Sequence, residues 1–163
     1  MGAMTVMPLP LSVLRIVKIP PPVWTLAFLA VAYGVKSIGG WAAVFVFRSM
    51  ATAVLFGAAG LTIAGWAVMI FAFSGTEIEP ASHSNKLLVT RSPFNFSRNP
   101  MYLGLILMSL ACAFYFGAWP FFVVPVLLFL LCNRVFIPFE EEKMARQFGD
   151  PYTEYCAKVR RWL

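Results

Sequence analysis

The sequence predicts an all-α, polytopic membrane protein of about four transmembrane helices, followed by C-terminal helices at the membrane interface. Three observations predict it. Hydrophobic residues make up 60% of the 163-residue chain and charged residues only 12%, about half the charged share of a soluble domain. The mean hydropathy is +0.77, which is more apolar surface than so short a chain can bury in a water-facing globule. The apolar residues also fall in long runs punctuated by Pro, Gly and charge, as membrane spans do. The length suits a single domain covering residues 1–163.

The elements follow in order. Residues 8–22 are Pro-rich and carry Arg15 and Lys18, and read as an interfacial lead-in. Pro20-Pro21-Pro22 opens the first span, residues 23–38, because proline is tolerated in the opening turn of a helix. Lys36 can snorkel outward near its end, and Gly39-Gly40 breaks it. Residues 41–47 form an apolar connector ending at Arg48. The second span, residues 49–73, has Ala53 and Gly57, then Gly60 and Ala64, each pair four apart. Such small pairs let helix backbones approach closely. Residues 74–100 are the longest polar segment, with Gly75, Pro80, Pro93, Pro100 and an apolar Leu87-Leu88-Val89 patch. A connection of that length is usually functional or disordered. The third span covers 101–116, Gly117-Ala118-Trp119-Pro120 makes a tight turn, and the fourth span covers 121–137. Residues 139–148 read as helical and close at Gly149, and Asp150-Pro151 starts a last helix. That helix carries Tyr152, Tyr155, Cys156, Val159 and Trp162 on one stripe, with Lys158, Arg160 and Arg161 elsewhere, a pattern suited to the membrane interface.

The net charge of +6 does not point to nucleic acid, since the basic residues are scattered around apolar spans and no nucleic-acid motif is present. They read as topology signals. With four spans, eleven of the 13 Lys and Arg residues fall on one side, leaving Lys36 and Arg48 on the other. The positive-inside rule then puts both termini and the 74–100 loop in the cytoplasm. Cys112, Cys132 and Cys156 lack metal-site spacing, so no metal centre is expected. Cys112 and Cys132 read as small apolar fillers, and Cys156, near the C-terminal end, as a weakly supported palmitoylation candidate. His83 reads as surface polar, and no cleavable signal segment is expected.

Two polar clusters flank the hairpin formed by the third and fourth spans: Arg98-Asn99-Pro100-Met101-Tyr102-Leu103-Gly104 and Glu140-Glu141-Glu142. Charged groups at a membrane are costly and are seldom kept there without a task. Together they suggest a site at the membrane face for a charged, partly polar small molecule. Each feature also has a structural reading. Asn99 suits a helix cap and Pro100 a first turn, Arg98 an interfacial anchor, Tyr102 an aromatic belt, and Gly104 close approach of a ligand or a helix. The glutamates suit a solvated helix start. Arg134 lies seven residues before Glu141, on one face of a continuous helix, with Pro138 as a break in that register.

Taken together, the strings resemble a family. Leu88-Val89-Thr90, Pro93-Phe94 and Ser97 through Gly104 are similar to the signature of the isoprenylcysteine carboxyl methyltransferase and phospholipid methyltransferase superfamily. A second block also matches: Asn133-Arg134, Glu140-Glu141, Met144, Phe148-Gly149, Tyr152, Tyr155 and Val159-Arg160-Arg161-Trp162. The resemblance covers residues 74–163 and implies an integral membrane enzyme that uses S-adenosylmethionine. It implies a cofactor pocket of Lys86, Leu87, Leu88, Val89, Phe94, Arg98, Asn99, Pro100, Met101, Tyr102, Gly104 and Glu140. It implies catalytic roles for Arg98, Glu141 and Arg134. Apolar and aromatic groups suit adenine, carboxylates suit hydroxyls or an ammonium, and Arg98 suits a carboxylate. The implied reaction is in-line methyl transfer to a lipophilic or amphiphilic acceptor arriving from the bilayer: a prenylcysteine carboxylate, an amine-headgroup phospholipid or a small thiol. A membrane interaction protein on the same scaffold is the non-enzymatic alternative. Three positions depart from the pattern: Ser92 replaces a glycine, Asn99 a histidine, and Phe136 a substrate-binding arginine of the prenylcysteine enzymes.

Overall fold

The computed structural model describes residues 15–38, 47–73 and 88–163. The first part of the expected loop, with His83, Lys86 and Leu87, therefore lies outside the described residues, as does most of the 41–47 connector. The elements are α1 (Pro21–Ile38), α2 (Met50–Phe73), α3 (Pro100–Phe116), α4 (Trp119–Leu131), a π-helical turn (Cys132–Phe136), α5 (Ile137–Phe148) and α6 (Asp150–Lys158). Among the described residues there is no strand, and the all-α expectation holds.

Proline and glycine set the boundaries as the sequence suggests. Pro21 opens α1, and prolines occupy the first turns of α3, α4, α5 and α6. Helix α3 stops at Gly117, whose φ of 63° is left-handed and whose N–H returns to the Ala113 carbonyl. A side chain there would also collide with Arg48, 2.7 Å from its Cβ. The Ser49 N–H donates to the Phe114 carbonyl at 3.1 Å, tying the start of α2 to the end of α3.

Helices α1 and α2, with 18 and 24 residues, are long and apolar enough to cross a bilayer. So is the continuous helix Trp119–Phe148, 30 residues long. Helix α3, with 17 residues, is the shorter apolar partner of α2. The continuity from Trp119 to Phe148 corrects the expectation of a break at Pro138. The π turn immediately before it is the physical reason. There the Ile137 N–H reaches back to the Cys132 carbonyl, and the wider turn gives the proline ring room where an α-turn would clash.

The closest packing joins α2 to α3. A Cβ on Gly60 would lie 2.7 Å from the Gly104 carbonyl oxygen, and one on Gly104 would lie 2.6 Å from the Ala64 Cβ. A Cβ on Gly57, one turn earlier in α2, would lie 3.6 Å from the Ala111 Cβ. The small pairs of the second span thus serve backbone approach. One core lies between α1, α3 and α4, built on Ala32, Ala113, Phe121, Val124 and Leu128. A second gathers Val17, Tyr102, Cys132, Phe136 and Ile137. A third joins Ala67 and Phe71 of α2 to Phe94, Tyr152 and Tyr155. Large apolar side chains such as Leu26, Val31, Leu55, Leu61 and Phe73 remain exposed, as a surface facing lipid requires.

The third core shows what the apolar stripe of α6 packs against: Tyr152 and Tyr155 are buried with Ala67 and Phe71 of α2. The helix ends at Lys158 and Val159 is extended, so Trp162 leaves the stripe and packs on Phe129, with ring centroids 5.0 Å apart.

The α2–α3 contact yields a prediction. Gly104→Ala is expected to destabilise the protein by about 1–3 kcal/mol through overpacking. Gly34→Ala, with nothing within 4 Å of the added methyl, is expected to leave stability unchanged or raised. Thermal unfolding of both variants in one detergent measures the difference.

Candidate functional site

The loop before α3 is pinned from below and from behind. Phe94 is buried edge-on against Phe71, with centroids 5.0 Å apart, and its carbonyl accepts the Tyr155 hydroxyl at 2.6 Å. Burial pushes the hydroxyls of Tyr152 and Tyr155 well above their ordinary pKa, while the Arg98 charge pulls in the opposite sense. Ser97, Asn99 and Pro100 are buried. Asn99 stands at the cap position, but its side chain makes no cap bond. Its amide donates instead to the Arg161 carbonyl at 2.9 Å, 62 residues away in sequence. The Ser97 hydroxyl donates to the same carbonyl at 3.3 Å, and the Arg98 N–H donates to the Arg160 carbonyl at 3.0 Å.

At the centre lies the Glu141 carboxylate. Arg98 reaches its Oε1 through Nη2 at 3.1 Å. Arg161 grips both oxygens, Nε to Oε1 at 3.1 Å and Nη2 to Oε2 at 2.5 Å. The remaining Arg161 nitrogen donates to Asn133 Oδ1 at 3.3 Å, and the Trp162 indole N–H donates to the same oxygen at 3.1 Å. Hydrogen bonding to Glu141 raises the Arg161 pKa. Arg98 also donates through Nη1 to the Cys156 sulfur. Its Nε is buried and has no partner among the described residues. Two guanidiniums therefore share one carboxylate, and one of them keeps a buried donor in reserve. An anion carrying its own hydrogen-bond acceptors would answer both the surplus charge and the unpaired N–H.

The neighbouring acids go elsewhere. Glu140 accepts the Tyr102 hydroxyl at 2.5 Å, beside Phe136, whose ring lies 6.2 Å from that of Tyr102. Consecutive residues of an α-helix point about 100° apart, so Glu140 and Glu141 serve different surroundings. Glu142 forms an i,i+4 pair with the exposed Arg146.

The structure thus brings together Arg98 and Glu141, with Asn99 attached through the Arg161 backbone. Leu88, Val89, Phe94 and Met101 share one apolar patch with Tyr152 and Tyr155. Tyr102 and Glu140 form a separate pair, and Gly104 sits in the α2 contact. Arg134 is exposed, and the ion pairs of Glu141 run to Arg98 and Arg161. Arg134 lies within the π turn, whose extra width rotates it relative to Glu141 from where an unbroken α-helix would put it. Arg161, Asn133 and Tyr155 belong to the polar framework without having been assigned to it from the sequence. Their signal was present in the second matching block.

Residues 48–151 match the family described as phospholipid methyltransferase, a stretch that contains α2 to α5 and both polar clusters. The chain belongs to that family. Family membership and the apolar helices together make it an integral membrane protein of methyltransferase type. A Haemophilus influenzae protein described as uncharacterized is 38% identical over 63 residues, which is 39% of this chain and 100% of that relative. No solved structure matches the chain. Arg161 and Trp162 lie beyond the stretch that the phospholipid methyltransferase family matches, although they tie its two polar clusters together.

Glu141→Gln is expected to cost about 1–3 kcal/mol, because two guanidiniums then converge on a neutral amide. Glu142→Gln removes a solvent-screened pair and is expected to cost under about 1 kcal/mol. Thermal unfolding in detergent separates the two.

Proposed function

We propose that the protein transfers a methyl group from S-adenosylmethionine to a lipophilic or amphiphilic acceptor, at the cytoplasmic face of the membrane. The observation that carries this reading is the Arg98–Glu141–Arg161 cluster, which among the described residues has surplus positive charge and a buried Arg98 Nε without a partner. These residues fit the amino-acid end of the donor, its carboxylate toward Arg98 and its ammonium toward Glu141. Leu88, Val89, Phe94 and Met101 offer the apolar surface that an adenine needs. Lys86 and Leu87, outside the described residues, belong to the same proposed donor site, as do Asn99 and Pro100. Pro100 and Gly104 also set the start and the packing of α3. The donor-binding portion is residues 74–163 of a single domain spanning 1–163.

When bound, that donor supplies a methyl group already activated on a sulfonium. The protein's share of the work is then positioning and exclusion of water. Arg98 and Glu141 orient the donor's polar end. Tyr102 and Glu140, on another face of the same helix pair, meet the acceptor's polar group, and the surrounding apolar side chains keep water out. Phe136 is wholly buried and Arg134 is exposed, which favours an amine-bearing or uncharged lipophile over a carboxylate. An amine-headgroup phospholipid is the acceptor that accords best with the family's description. The distribution of Lys and Arg supports cytoplasmic termini, which puts the cluster on the side where a soluble donor is available.

Calorimetric titration with S-adenosylhomocysteine tests the reading. The wild-type protein is expected to bind, and Arg98→Ala to lose about tenfold or more in affinity, the equivalent of one charge-assisted hydrogen bond. Absence of binding by the wild type would remove the donor from the proposal. With donor supplied, amine-headgroup lipids are expected to be methylated faster than farnesylcysteine-type acids; the reverse order would show that Phe136 does not decide the acceptor. Cysteine labelling between residues 80 and 90 is expected only from the cytoplasmic side.

A further inference from the structure

The C-terminal residues 159–163 run as an extended strap across the polar cluster, and one residue in it bonds in both directions. Through its carbonyl, Arg161 takes the Asn99 amide and the Ser97 hydroxyl, which belong to the loop before α3. Through its guanidinium it grips both oxygens of Glu141 on α5. Its last nitrogen and the Trp162 indole converge on Asn133 in the π turn, and the Trp162 ring rests on Phe129 of α4. The loop, α4, the π turn and α5 are therefore indexed to one another through residues 160–162.

We propose that Arg161 is a positioning residue of the donor site, fixing the plane of the Glu141 carboxylate so that Arg98 and Glu141 present their polar groups at a constant spacing. This inference rests on the donor reading given above. Three features favour it. First, Arg98 alone meets Glu141 through a single nitrogen at 3.1 Å, which leaves the carboxylate free to rotate. The two-nitrogen fork of Arg161 removes that freedom. Second, a carboxylate accepts about four hydrogen bonds, so the fork orients Glu141 without excluding a further donor. Third, the strap is anchored by backbone carbonyls, a side-chain amide and an indole packed at a tilt on Phe129. A segment meant to swing aside would be tied by fewer bonds.

The test uses the full chain in detergent, titrated calorimetrically with S-adenosylhomocysteine. It compares wild type with Arg161→Gln, Arg161→Lys, Glu141→Gln and the double variant Glu141→Gln/Arg161→Gln, with thermal unfolding of each. Arg161→Gln is expected to weaken binding about tenfold or more. Arg161→Lys, which keeps the charge and loses the fork, is expected to recover part of that loss. In the Glu141→Gln background, Arg161→Gln is expected to add little, because the two act as a unit. Losses that simply multiply would show that Arg161 acts through general stability and would overturn the inference. So would unchanged or tighter binding by Arg161→Gln, the latter marking the strap as a block. Should Arg161→Gln fail to fold, Arg161→Lys decides: severalfold weaker binding supports the proposal and unchanged affinity overturns it. A wild-type chain that does not bind overturns the donor reading and this inference with it, whereas binding by wild type with multiplying losses overturns the inference alone.

Discussion

A single carboxylate between two guanidiniums is the constraint around which the polar end of this protein is built. Glu141 sits at the end of a long helix, Arg98 ahead of another, and Arg161 on a strap, so that each partner comes from a different part of the chain. An ion pair of this kind is worth little when solvent screens it and more when it is sheltered. Here the side chains of Arg98 and Glu141 are only 15% and 22% exposed. The shelter comes from Phe94, Tyr152 and Tyr155, whose burial against α2 closes the back of the cluster. Packing and charge are thus coupled. Loosening the aromatic wall would admit water to the ion pairs, and breaking the ion pairs would leave charged groups against an apolar wall.

The transmembrane part supplies the geometry. Helices α2 and α3 touch backbone to backbone at Gly60 and Gly104, which sets where α3 begins and hence where Arg98 lies. The helix from Trp119 to Phe148 passes through the π turn without a break and carries three consecutive acids, Glu140 to Glu142, in its C-terminal half. π turns inside α-helices are frequent at functional sites. This one directs Asn133 toward the strap and leaves Arg134 exposed.

Much of this was legible in the amino-acid sequence. The spans announce themselves as apolar runs, and Pro20–Pro22, Gly117 and Asp150-Pro151 mark ends that the structure keeps within a residue or two. The small residues at positions 53, 57, 60 and 64 correctly indicated a close helix contact. Two things were not legible. Composition carries no sign of a π turn, since it changes the hydrogen-bond register without changing the apolar pattern; the sequence therefore left open whether Arg134 aligns with Glu141 or loses that register near Pro138, and it is the π turn that interrupts it. The fold-back of Arg161 onto Asn99 spans more than 60 residues, and no local periodicity encodes a contact of that range. What the sequence did carry was the identity of the participants, because Asn133, Tyr155 and Arg161 all stand in the second matching block.

The glycine contact between α2 and α3 has a mechanical implication. At about 1.5 Å per residue, the 24 residues of α2 measure about 36 Å, against roughly 30 Å of hydrocarbon in an average bilayer. A helix longer than its membrane relieves the mismatch by tilting. Backbone contact at Gly60 and Gly104 leaves no cushion of side chains, so α3 must lean with α2 as one body. The start of α3, and the loop that carries Arg98, then shift in depth as bilayer thickness changes. A bilayer that changes the tilt of α2 would therefore change that of α3 with it, and thereby the depth of the protein's polar face.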